Sequence, residues 1–448
     1  MTASTLLAHG VGGRTDLPVP TGLAVTAAAV AVLVSFLAVG ALWRTPQLKG
    51  AAGGRPLPAG LARLIDSPVF RGVLQAVVLL AAAVVVAAAF LGPSETRFNL
   101  APYVLYVTFW PGLVLVSLAF GPVWRVVNPL RLVHGGLARL LHLDPDTGLR
   151  PLPARVGMWP AAAWLAIFTW IELVFPDRAE PQFVGAFLVA YLVVNVWLGL
   201  IFGRGWFATG DGFEVWYSLV ARLSPWGRRR DGVLVVRNPL DGVAAQAVGP
   251  GLIAVVLVVI GSTAFDGLTR TLWWSNNVNA DDVPIGTLGF AAAVAAIVVA
   301  YLAACRASSW AIGRGKGARV APTVRALPGV FAPALIPIAI GYTIAHYFSL
   351  LFLDGQIPIA LVSDPFQRGW NLFGTADLQV NYALLSTLLI ASVQIGAVVV
   401  GHVLAVVSAH DRALVDVKPA SAATRSQYPM LVLMIGLTCL AIGLLVGT

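Results

Sequence analysis

Apolar residues in this chain come in long unbroken runs. They show neither the one-sided 3.6-residue period of a soluble helix nor the alternation of a half-buried strand. A helix needs about 20 mostly apolar residues to cross a bilayer. Ten runs approach or exceed that length, at roughly 23–43, 73–91, 101–120, 157–175, 183–202, 244–265, 288–305, 331–353, 382–408 and 428–447. The pattern predicts an all-α polytopic transmembrane helix bundle with about ten spanning helices.

Composition agrees. Hydrophobic residues make up 58% of the 448 and charged residues 11%, against about 25% charged in soluble domains. Water cannot be the solvent for most of this surface, which excludes a soluble enzyme. Cys305 and Cys439 lie in separate apolar runs without CxxC or Cys/His spacing, so neither a disulfide framework nor a zinc knuckle is expected.

The net charge of +9 would suggest nucleic acid in a soluble protein. Here it follows the membrane, because basic residues collect in cytoplasmic loops. The odd-numbered connections hold 24 of the 29 Lys and Arg; the rest are Arg14, Arg97, Arg178, Arg270 and Arg368. This alternation predicts both termini outside and a multi-pass protein of a cytoplasmic (plasma) membrane. Its partner is the lipid bilayer, not nucleic acid, and oligomerisation is left open. Residues 1–20 form an outer N-terminal segment. Residues 21–448 form a single membrane domain with cytoplasmic interfacial segments near 121–155 and 203–243.

Those two segments echo each other. After the third run come Phe120-Gly121, Trp124 and Leu137-Ala138-Arg139-Leu140; after the fifth come Phe202-Gly203, Trp206 and Val220-Ala221-Arg222-Leu223. Asn128-Pro129-Leu130 and Asn238-Pro239-Leu240 add a second echo. Matching exits point to a parallel structural repeat in which a helix turns into an amphipathic segment at the inner leaflet, as in many transporters. Any Arg-rich, Trp-anchored interfacial helix would look similar.

Ionisable groups in hydrocarbon are costly and are the default functional candidates. Glu172 is placed about 6 Å and His346 about 10 Å below the outer surface by helical rise. A pair at that level could bind a cation, relay a proton or hold a substrate group; the alternative is an interfacial carboxylate and a histidine bonded to a neighbouring helix. Asn195 and Gln394 fall near the midplane, where amides line a route or bridge helices. His402 and His410 share one run, about 12 Å apart along its axis, too far for one metal ion. His134 and His142 are cytoplasmic, so no two-histidine haem site is evident and the cofactor is left unknown. Candidate metal ligands reduce to His346, Asp354 and His9, the last only if cleavage after Ala8 exposed it as a terminal residue. Pro322, Pro328, Pro333 and Pro337 predict a broken start to the eighth helix, a feature that transporters place at binding sites. The chain contains no Gly-x-Ser-x-Gly, His-Glu-x-x-His or phosphate-cradling Gly loop.

Three stretches carry a resemblance: His9-Gly10 through Asp16-Leu17-Pro18-Val19-Pro20, Phe213-Glu214-Val215 to Leu223-Ser224-Pro225, and Ser426-Gln427-Tyr428-Pro429-Met430. Together they resemble a family of actinobacterial polytopic membrane proteins labelled fenitrothion hydrolase. Family members carry a longer leader before the His-Gly pair, so the resemblance implies a start further upstream. It also implies hydrolysis of an organophosphate ester, with His346 and Asp354 as candidate ligands. The prolines and the repeat point instead to a permease or transport component for a small solute or ion, lined by Glu172, Asn195, His346, Gln394 and His402. A scaffold subunit is the third reading, favoured by the scarcity of intramembrane charge.

Overall fold

The computed structural model describes residues 20–279, 281–313, 319–320 and 327–446. It is all-helical apart from short strand pairs. In chain order the main helices are α1 (Thr21–Leu42), α2 (Pro68–Leu91), α3 (Leu100–Phe109), α4 (Gly112–Phe120), α5 (Val123–Val127), α6 (Pro129–Leu140), α7 (Trp159–Val174) and α8 (Pro181–Phe202). They continue with α9 (Gly212–Val220), α10 (Pro239–Ala244), α11 (Leu252–Thr269), α12 (Val283–Gly313), α13 (Leu327–Phe331), α14 (Ile336–Leu353), α15 (Thr387–Asp416) and α16 (Ala420–Val446).

Among the described residues, eight helical segments are long and apolar enough to cross a membrane. The pair α3 and α4, bent by 42°, would make a ninth, and α7 is a shorter apolar helix of 16 residues. Their surfaces show which solvent they meet. Only 17% of the apolar window in α2 is buried, and Val69, Val73, Val77 and Leu80 stand exposed along it. An apolar face that long is stable in hydrocarbon and a liability in water.

Departures from regular helix have local causes. In α3, Val104–Phe109 is π-helical, and Pro111, which has no N–H, follows at the bend. The carbonyls of Phe109 and Trp110 at this kink accept from the Tyr217 hydroxyl at 3.0 and 3.1 Å. The proline-rich eighth run is broken as expected: α13 gives way to a 3-10 turn, Ala332–Leu335, before α14 begins. Pro322 lies outside the described residues. The sixth run starts later than expected, at Leu252, because Gly251 takes φ +81° as N-cap and Pro250 precedes it. The same helix runs on through Thr269, which brings Asp266 into it.

The chain forms two compact units. One contains residues 56–221 and 347–386, where α8 packs on α2 and α6, and α9 packs on α4 and α7. Here the second and fourth connections meet, since the Thr96 hydroxyl donates to the Ala179 carbonyl at 2.9 Å. The Tyr106 hydroxyl likewise donates to the Arg178 carbonyl at 2.9 Å. The other unit contains 20–55, 222–346 and 387–446, and packs α12 and α15 on α16 and α11 on α12. Within it α14 and α15 cross closely at two glycines: a Cβ on Gly401 would lie 2.7 Å from the Pro337 carbonyl oxygen. One on Gly341 would lie 2.5 Å from that of Ala397. Small residues let helices approach this way where lipid, not water, is the competing environment.

Candidate functional site

The two echoed exits have one conformation. Gly121 (φ 84°, ψ −155°) ends α4 and Gly203 (φ 72°, ψ −173°) ends α8, both in a region open essentially to glycine alone. Asn128 and Asn238 each cap a helix that starts with proline, and each accepts from the leucine N–H two residues on at 3.0 Å.

Within the first unit the two copies face each other and build a buried polar cluster. The first copy supplies Asn128, Arg131 and His134 from α6 and its cap; the second supplies Asp211 and Glu214 from α9 and its cap. Asn128, His134 and Asp211 are fully buried and Glu214 is 1% exposed. Expected as an amphipathic interfacial segment, α9 is instead buried at almost every position, because Phe213, Val215, Trp216, Tyr217, Leu219 and Val220 make it apolar on all sides.

The Asn128 amide donates to Asp211 Oδ2 at 2.8 Å and to Glu214 Oε2 at 3.0 Å, so one side chain ties the carboxylates together. Arg131 grips Glu214 with two bonds, at 2.6 and 2.5 Å, and its guanidinium lies over the Phe207 ring. Asp211 is held by neutral donors only. The Tyr191 hydroxyl donates to its Oδ1 at 2.6 Å, and the N–H groups of Phe213 and Glu214 donate to the same oxygen at 3.1 Å each.

Among the described residues, one direct cation therefore serves only one of the two acids. Burial, and then the Glu214 charge, push the Asp211 carboxyl up to about 6, with the Tyr191 bond opposing the rise. His134 packs edge-on against Phe207; burial lowers its pKa, and the Arg204 and Arg131 charges add to that. A carboxyl titrating near neutrality beside a fixed ion pair can take up and release one proton without unpairing Glu214.

Aromatic rings connect this cluster to a second acid. Phe213 touches Tyr191 and Phe168 at 5.1 and 5.0 Å between centroids, Phe168 touches Trp110 at 4.9 Å, and Trp110 touches Tyr347 at 6.4 Å. The Tyr347 hydroxyl donates to Glu172 Oε1 at 2.8 Å. Gly212 packs against Trp164 and Leu165 of α7, which places Glu172 about 10 Å further along that helix by its rise.

Asn195 joins the cluster's edge, donating to the Tyr191 carbonyl at 2.9 Å and accepting from Trp206 Nε1 at 3.0 Å. Glu172 and His346 belong to different units, and each has a partner in its own. His346 Nε2 pairs with Asp266 and lies 3.3 Å from Arg270 Nη2, while Arg270 Nε donates to Asp266 Oδ1 at 3.2 Å. That aspartate lies one residue past the apolar run, which ends at Phe265, on the continuation of the same helix. In the second unit Gln394 and His402 are buried on α15; His402 Nδ1 lies 2.9 Å from the Val398 carbonyl, while His402 Nε2 and Gln394 Nε2 have no hydrogen-bond partner among the described residues. His410 bridges the Gln427 amide oxygen and the Trp43 carbonyl, at 3.0 and 2.9 Å. Asp354 sits half-buried in the 3-10 turn after α14, and His9 lies outside the described residues.

Among the described residues no group of three or more His, Cys, Asp or Glu is placed to hold a metal ion. No family model, curated protein or solved structure matches this chain.

Proposed function

We propose that this chain is a proton-coupled permease, or the membrane component of one, moving a small solute or ion across the bacterial cytoplasmic membrane. In this reading it crosses about ten times with both termini outside, and Asp211 carries the coupling proton. One observation bears most of the weight: two buried carboxylates bridged by the Asn128 amide, with, among the described residues, a single cation, Arg131, bonded to only one of them. Proton-coupled carriers need an acid that changes protonation at physiological pH inside a water-poor interior. The kinked α3–α4 pair beside the cluster supports the same reading, since broken helices in membranes survive where their freed backbone groups find partners.

The alternation of connections is supported within each unit, where even connections bond to even ones and odd to odd. Arg204 pairs with Asp146 at 3.1 Å, and Asp411 accepts from the Gln47 N–H at 2.5 Å. An organophosphate hydrolase and a scaffold subunit are the readings that a result against proton binding would leave.

The test is infrared difference spectroscopy of the lipid-reconstituted protein across pH. A protonated-carboxyl band with a midpoint about 6 that loses amplitude in Asp211→Asn is expected. A band unchanged by that substitution, or the absence of any carboxyl titrating above the ordinary aspartate range, would overturn the assignment.

A further inference from the structure

The second unit contains a cavity of about 350 Å³ that the proton-coupled reading does not use. Its wall includes the loop around Lys49, the hairpin residue Arg230, the inner end of α15 with Asp411 and Arg412, and the end of α10 near Val243. Pro333, in the 3-10 turn that breaks the eighth run, closes one side.

The loop is fixed by buried acids rather than left to fluctuate. Asp411 accepts from the N–H groups of Gln47 and Leu48 at 2.5 and 3.1 Å, and Asp241 accepts from the Lys49 N–H at 2.7 Å. The Arg230 N–H donates to the Ala51 carbonyl at 2.9 Å, tying the hairpin to the same loop. What this framework presents is positive charge. Among the described residues, the exposed side chains of Lys49 and Arg230 have no ion pair or hydrogen bond at their charged ends, while Arg412 is engaged by Asp416 at 2.9 Å.

Charge counting defines the guest. The lining holds three cations, Lys49, Arg230 and Arg412, and one acid, Asp411; with Arg412 paired to Asp416 and Asp411 bonded to backbone N–H groups, Lys49 and Arg230 are the two cations left to meet a guest. A phosphate monoester carries about two negative charges at neutral pH and presents several acceptor oxygens to Arg and Lys donors. All three cations fall in connections whose basic bias predicts the cytoplasmic side. We infer that this cavity binds a phosphate-monoester dianion, with Lys49 and Arg230 as the principal contacts and the apolar wall at Val243 and Pro333 accepting the group the phosphate is attached to. Two sources share that chemistry: the headgroup of phosphatidic acid in the inner leaflet, and a soluble phosphate from the cytoplasm.

The test uses the full chain in detergent micelles, titrated separately with inorganic phosphate and with short-chain phosphatidic acid, with phosphatidylcholine as control, and followed by thermal unfolding and native mass spectrometry. Wild type is expected to be stabilised saturably by at least one of the two. In Lys49→Gln/Arg230→Gln the same probe should bind at least tenfold more weakly while the ligand-free melting temperature is unchanged. Because Arg412 has structural partners, Arg412→Gln serves as a second variant and should weaken binding too. Stabilisation by inorganic phosphate assigns the soluble source; stabilisation by phosphatidic acid alone assigns the lipid. No stabilisation by either, or equal affinity in wild type and the double variant, would overturn the inference.

Discussion

At the residue scale the decisive contrast is between Glu214 and Asp211, three positions apart and equally buried. Arg131 keeps the first in an ion pair, whereas among the described residues the second has only uncharged donors, and that difference is why the proposed proton carrier is Asp211 rather than Glu214. It has a thermodynamic consequence. A carboxyl raised in the folded state binds its proton more tightly there than in the unfolded chain, so its contribution to stability is fully present below pH about 4 and is lost as pH rises through about 6. A rise of that size corresponds to an effect of the order of 3 kcal/mol. Thermal unfolding of the purified protein should show this loss between pH 4 and 7 in wild type and not in Asp211→Asn; parallel pH profiles would contradict it. None of this was legible in the sequence. Asp211 and Glu214 lie outside the apolar runs, and their partners are 83 and 86 residues away from Asn128, 83 from Arg131. Only the echo of the two exits hinted that these segments belong together.

At the element scale the sequence is more transparent. Each apolar run falls on helix, because only helix satisfies its own backbone polar groups in hydrocarbon, and the proline cluster marks where the eighth is interrupted. The register of ends was less readable: a glycine at positive φ moved the sixth helix eight residues along the chain, and with it an aspartate into contact with His346. The repeated exit glycines give the sharpest element-level expectation. A methyl group at Gly203 would meet the Asp146 carbonyl oxygen at 2.2 Å and force a backbone region closed to other residues. Gly203→Ala should therefore destabilise by about 1–3 kcal/mol. Gly205→Ala, two residues on with open space around it, should be neutral. Comparable melting temperatures for the two variants would show that the exit conformation is not required.

At the scale of the whole molecule, hydrophobicity and the uneven placement of arginine by themselves define a multi-helix membrane protein, because bilayer thickness and loop charge leave few alternatives. What the molecule does depends on long-range pairings that no local pattern encodes. The structure gathers part of its buried charge into a carboxylate pair in one unit and an Asp266–His346–Arg270 cluster in the other, where the sequence offered a Glu172/His346 pair and single residues. The most direct test of proton-coupled transport is flux. Proteoliposomes holding an internal pH indicator are exposed to a small-solute extract under an imposed pH gradient. Wild type should admit protons only when solute is present, and Asp211→Asn should fall to the level of empty vesicles. Proton entry that is the same in wild type, Asp211→Asn and protein-free vesicles would contradict the account.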